Sequence, residues 1–117
     1  MSEMIEYVSK VDRWPGKIYA NSYMTFPELQ KWEEAIEGTK SLVKEGEENT
    51  ANTISFYGAL LKPAIEIIKK WEIVGIPEKV SVENFPASLS LVAFVVDSIT
   101  DLYRRTNYTD PKSPEQS

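Results

Sequence analysis

The chain contains no histidine and no cysteine. Without cysteine it has no disulfide, no thiolate nucleophile and no thiolate-ligated metal centre. Without histidine the Ser-His-Asp and Cys-His pairings and the histidine-bearing zinc sites are excluded as well. Glycine is scarce: five scattered residues, none arranged as a phosphate-cradling loop. The longest apolar run, Leu91 to Val96, is far short of the ~20 residues that cross a bilayer. A basic stripe is missing too. Lys69-Lys70 and Arg104-Arg105 are only dipeptides and read as helix-end cations complementing the macrodipole. With 13 basic and 18 acidic residues the net charge is −5, which repels phosphate, so neither nucleic acid nor membrane is an expected partner. The opening Met1-Ser2-Glu3-Met4 has neither a basic nor an apolar leader region, and the expectation is a soluble, cytoplasmic protein. Asn107-Tyr108-Thr109 matches the glycosylation sequon, a chance match in that setting.

What is present is core material. Apolar residues make up 42% of the 117, with three Trp, six Tyr and four Phe. A chain of this size folds as one domain and buries about two-thirds of its unfolded surface. Carboxylates are the only plentiful acid–base groups. Asp97 and Asp101 stand four apart on one helix face, as do Glu33 and Glu37. A metal or proton-transfer site needs a third ligand or an acid partner, and the spacing marks none, so both pairs read as solvated faces. The polar stretch Glu45 to Asn52 lacks the alternating donors of a divalent-ion loop. No catalytic residue, metal ligand or cofactor is assigned, and the chain reads as non-enzymatic.

Ile5 and Tyr7 alternate with polar residues, Asp12-Arg13-Trp14-Pro15-Gly16 is a turn, and Lys17 to Ala20 resumes an extended pattern. This predicts a β-hairpin. Thr25-Phe26-Pro27-Glu28 is a capping box with proline in the first turn. Phe26, Leu29, Trp32, Ala35 and Ile36 then form the apolar face of a first helix that ends near Gly38 or resumes over Thr39 to Lys44. A second helix is predicted from Asn52 or Thr53 to Glu72, with Ile54, Tyr57, Leu61, Ile65, Ile68 and Trp71 or Glu72 inward, and a kink or break at Pro63. Val74-Gly75-Ile76-Pro77 stops it, and Lys79 to Val82 reads as an optional short strand. A last helix starts at Ser88 and runs to about Arg105, apolar nearly all round its first turns; Leu91 to Val96 taken alone also fits a buried strand. The predicted fold is mainly α within an α+β class: a hairpin followed by three to four packed helices over residues 1–105, then a disordered tail, 106–117.

Such an excess of apolar surface points to a protein partner. Trp14 in the turn and Tyr19 and Tyr23 near the strand edge are candidate aromatic anchors, although for Trp14 a lid on the core is the favoured reading. Leu91, Val95 and Ile99 are the candidate face for a partner's amphipathic helix. Trp32 and Trp71 read as core.

Arg13-Trp14-Pro15-Gly16, a short extended segment and Met24-Thr25-Phe26-Pro27-Glu28-Leu29-Gln30-Lys31-Trp32-Glu33 mark an opening stretch, and Ile76-Pro77-Glu78-Lys79-Val80, Asn84-Phe85-Pro86-Ala87-Ser88 and an apolar helix ending in Leu102-Tyr103 mark a closing one. Over these two stretches, about half the chain, it resembles the tail assembly chaperones of long-tailed phages and related proteins of phage structural gene clusters. The resemblance implies a mainly helical, non-enzymatic protein that coats the tape-measure protein and recruits tail-tube subunits in the host cytoplasm. It carries over no catalytic or binding residue. A structural virion component, such as a tail-completion or connector subunit using the hairpin for strand addition, and a small cytosolic adaptor or regulatory module remain alternatives. A homo-oligomer is compatible with all three.

Overall fold

A computed structural model describes residues 4–40, 50–77 and 79–107. The hairpin forms where the alternation placed it. Strands β1 (Met4–Ser9) and β2 (Gly16–Asn21) pair antiparallel, with Tyr7 opposite Ile18 and Ser9 opposite Gly16. Its connection is tied from within. Ser9 donates its hydroxyl to the Trp14 carbonyl at 2.7 Å, and the Trp14 N–H returns to the Val11 carbonyl at 3.0 Å.

Helix α1 (Phe26–Thr39) starts at Thr25 with both halves of the capping box made: the Glu28 N–H donates to Thr25 Oγ1 and the Thr25 N–H to Glu28 Oε1. Such a cap contributes about 1 kcal/mol. The other Glu28 oxygen accepts from Lys69 Nζ at 2.9 Å, fastening the start of α1 to the sheet. Trp32 is fully buried, whereas Phe26, predicted inward, is exposed because it precedes the turn that first meets the core. Residues 41–49, which hold most of the predicted polar loop and any resumed first helix, lie outside the described residues.

Helix α2 (Thr50–Ile67) begins earlier than the periodicity predicted and runs through Pro63 as one helix. Ile54 near its start is exposed, and Leu60, Leu61, Ala64 and Ile67 supply its buried face. The main correction follows at once. The predicted last turn of the second helix is instead a strand, β3 (Ile68–Ile73), which starts directly after α2 and pairs antiparallel with β2. Ile68 and Trp71 suit a helical spacing, but extended pairing satisfies the second edge of β2 while burying Ile68 and Ile73. Trp71 is therefore a half-buried strand residue opposite Ile18, and Lys69 and Lys70 are strand residues, not helix-end cations. Lys79 to Val82 form no strand.

Helix α3 (Leu89–Asn107) follows Ser88, whose hydroxyl accepts from the Leu91 N–H at 3.2 Å; the strand alternative for Leu91 to Val96 is not adopted. Among the described residues the architecture is thus α+β, three helices and a three-stranded antiparallel sheet in the order β1-β2-β3. Ile18, Ala20, Ile68 and Ile73 from the sheet, Trp32 from α1, and the buried faces of α2 and α3 make one core. At ~1.5–3 kcal/mol for each large apolar side chain removed from water, that core is the main favourable term. The predicted tail starts two residues too early: Thr106 and Asn107 close α3, with Thr106 Oγ1 accepting from the Met24 N–H at 2.9 Å, and residues 108–117 lie outside the described residues. Among the described residues no helix is long and apolar enough to cross a membrane.

Candidate functional site

The structure scatters the predicted partner-binding residues. Leu91, Val95 and Ile99 have no exposed surface: they sit in the core against the sheet and the other helices. They cannot receive a partner without unfolding, and the reading of this face as a docking surface is corrected. Helix α3 turns these three residues inward, while Val92, Ala93 and Phe94 beside them are half-buried. Trp14 is half-buried and packs over Gly75, whose φ of +91° leaves room for the ring where a side chain would collide with it. Tyr19 lies on the outer face of the sheet, its hydroxyl donating to Glu72 Oε1 at 3.0 Å, with the ammonium groups of Lys17 and Lys70 at 5.8 and 5.4 Å from its ring centre. Tyr23 is exposed. These aromatics do not converge on one another.

The carboxylate pair separates as well. Asp101 Oδ2 accepts from Tyr7 Oη at 2.8 Å and from Arg105 Nε at 2.7 Å, a bridge between β1 and α3. The Arg105 hydrogen bond, more than that of Tyr7, holds the Asp101 carboxyl below its usual range. Burial, followed by the hydrogen bond to Asp101 and the charge on it, pushes the Tyr7 hydroxyl well above the usual tyrosine value. Asp97 is shifted upward by desolvation. Among the described residues no three metal-ligating side chains gather.

The Tyr7 bridge gives a pH dependence with a definite sign. A tyrosine whose pKa is raised on folding adds stability below its unfolded pKa of about 10 and loses it as pH climbs toward the folded value. Tyr7→Phe should therefore cost about 1 kcal/mol at neutral pH, and the gap to wild type should narrow above pH ~10. Urea midpoints measured from pH 7 to 11 check this; a constant gap contradicts it.

One concave surface is built by residues that the sequence did not single out together. The exposed side of α2 places Gly58, Ala59, Lys62, Ile65 and Glu66 at helical spacing along one wall of a groove of about 530 Å³. Val80, Ser81, Val82 and Glu83 form the opposite wall. That wall is positioned by a reciprocal turn. The Ser81 N–H donates to Asn84 Oδ1 at 2.9 Å, the Asn84 N–H donates to Ser81 Oγ at 3.3 Å, and Asn84 Nδ2 donates to the Lys79 carbonyl at 2.7 Å. Next to it, Phe85 meets Trp71 edge-on with ring centres 6.1 Å apart, which anchors the connection to β3. The groove is apolar along Ala59, Ile65, Val80 and Val82, and carries Lys62, Glu66 and Glu83 at its margins.

Two backbone features mark this wall. A Cβ added at Gly58 would meet nothing within 4 Å, so internal packing does not require glycine there. A helix-interior glycine costs roughly 0.5–1 kcal/mol relative to alanine. Pro63, four residues after Ala59, has no N–H to donate to the Ala59 carbonyl. The groove wall thus exposes bare backbone next to an acceptor deprived of its usual helical donor. A glycine and a proline five residues apart within a helical pattern were the available sequence signal, since each is costly inside a helix.

Comparison of the chain with protein-family models, with curated proteins and with solved structures finds no match.

Proposed function

We propose that this chain is a non-enzymatic protein-interaction and assembly protein that receives an amphipathic helix of its partner in the groove along Gly58. The observation that carries the reading is the groove itself: apolar between two walls, bordered by charges of both signs, and walled on one side by a helix that omits a side chain where nothing inside the molecule fills the space. An amphipathic helix fits those terms, with its apolar stripe on Ala59, Ile65, Val80 and Val82 and its flanking charges opposite Lys62, Glu66 and Glu83. The resemblance to tail assembly chaperones supplies the partner class, a long helical tape-measure protein, with tail-tube subunits as second clients. Binding then takes place on α2, and not on α3.

The test is co-expression with a long coiled-coil tape-measure protein of a long-tailed phage. A soluble complex is expected. Gly58→Leu, which fills the wall without touching the core, should weaken it by tenfold or more, whereas Gly58→Ala should leave the fold more stable by about 0.5–1 kcal/mol. Absence of a complex, or a complex indifferent to Gly58→Leu, refutes the reading. Recovery of the chain from purified phage particles would favour a virion component over a chaperone.

A further inference from the structure

We propose that β1 is a self-association edge, along which a second copy of this chain adds its own β1 antiparallel to form a continuous six-stranded sheet. Among the described residues strand β2 is paired on both sides, and β1 is paired only with β2. An edge strand presents alternate unpaired N–H and C=O groups, and proteins that keep such an edge single protect it with charged side chains (lysine above all), proline, a bulge or an inward-pointing charge. Met4-Ile5-Glu6-Tyr7-Val8-Ser9 has no lysine, proline or inward-pointing charge, and its one charge, Glu6, is neutralised by Lys17. The irregularity of the sheet lies on its other side, between Tyr19 and Ala20 where β2 meets β3.

Burial along the inner face decreases toward this edge. Ile18 and Ala20 in the central strand have no exposed surface, while their β1 neighbours Tyr7 and Ile5 are only partly covered. On the outer face Met4 is 51% and Val8 60% exposed, two apolar side chains flanking Glu6. A two-fold axis pairs a strand with itself, and partners directly opposite must lie on the same face of the sheet. Centring the axis on Glu6 satisfies that rule and sets Met4 against the partner's Val8, and Ile5 against the partner's Tyr7, twice each. The two Glu6 side chains then face one another, each already held by its own Lys17 at 2.8 Å, so the centre is a neutral group of four charges. The exposed apolar pair and the half-covered inner pair are both completed by the same operation. A different segment laid on this edge would have to match both faces; the strand itself already does.

The surface does not involve the α2 groove, so its failure leaves the proposed function standing and the reverse also holds. Sedimentation equilibrium over a range of chain concentrations should show twice the 13.3 kDa chain mass. Val8→Lys, at an exposed position, should raise the dimer dissociation constant at least tenfold with an unchanged circular dichroism spectrum. The chain has no cysteine, so Glu6→Cys gives an unambiguous register test: under oxidation it should cross-link to a dimer, and Asp12→Cys, in the hairpin connection, should not. A monomer throughout the range overturns the proposal, as does a dimer that survives Val8→Lys. A dimer sensitive to Val8→Lys but not cross-linked through position 6 overturns the two-fold pairing centred on Glu6.

Discussion

Gly16→Ala is expected to remove most or all of the folded population. Gly16 opens β2 at φ +135°, a region in which a side chain is strained at a cost of about 1–3 kcal/mol. The steric cost comes on top of this. A Cβ there would overlap the carbonyl oxygen of Glu72 and stand 2.7 Å from the Ile73 Cα, both backbone atoms of the paired strand. Backbone cannot rotate aside as a side-chain tip can, so β3 must separate from β2 or the hairpin must lose its first pair. Either change uncovers Ile18 and Ile73. Against a total stability of about 5–15 kcal/mol for an ordinary domain, the sum is disabling. The measurement is the urea midpoint of Gly16→Ala beside that of Gly38→Ala, where an added Cβ meets nothing within 4 Å and the fold should be unharmed. Gly75→Ala should fall between them. Its positive φ is unfavourable, but the atom it meets, at 2.8 Å, is the edge of the Trp14 ring, which can tilt away. Equal midpoints for the Gly16 and Gly38 variants would contradict the argument.

How much of this was legible from residue order depended on the range of the interaction involved. The Thr25–Glu28 box and the Ser88 start of α3 are set by neighbours a few residues apart, and each appears where the sequence placed it; the predicted Asp12–Gly16 turn closes instead between Val11 and Trp14, with Gly16 already in β2. Strand β3 was not legible. Ile65, Ile68 and Trp71 keep helical spacing, and what converts the last turn into a strand is pairing with β2, about fifty residues earlier. Position relative to the core was equally non-local. Phe26 and Ile54 fit the apolar stripes yet face outward, while Leu91, Val95 and Ile99, read as surplus surface, are enclosed. The candidate groove was legible only in fragments. Val80 and Val82 alternate as strand residues do, but they hang on the Ser81–Asn84 turn, and nothing in their order brings them opposite Gly58. The corrected position of the docking surface follows from that: a docking residue is an apolar one that the core leaves over, which only the packed molecule identifies.

Trp32→Ala should be the most costly replacement on α1, at about 3–5 kcal/mol. Trp32 is the largest fully buried side chain and the principal anchor of its helix; the remaining apolar residues of the face, Leu29, Ala35 and Ile36, are only partly covered. Alanine would leave a cavity and would free α1 to separate from α2, since the ion pair Lys31–Glu66 between the two helices is too exposed to hold them together. Trp32→Phe behaves differently because two effects oppose. Phenylalanine forfeits part of the ring volume. It also removes the indole Nε1–H, which is buried without a hydrogen-bond partner among the described residues. Leaving such a donor unsatisfied costs about 1–3 kcal/mol, a sum close to the packing lost with the smaller ring. The expected ranking of urea midpoints, followed by circular dichroism so that the loss of a fluorophore does not intrude, is wild type and Trp32→Phe close together and Trp32→Ala far below. If phenylalanine proves as damaging as alanine, shape and not the unpaired donor governs this position, and the indole N–H carries no penalty in the folded chain.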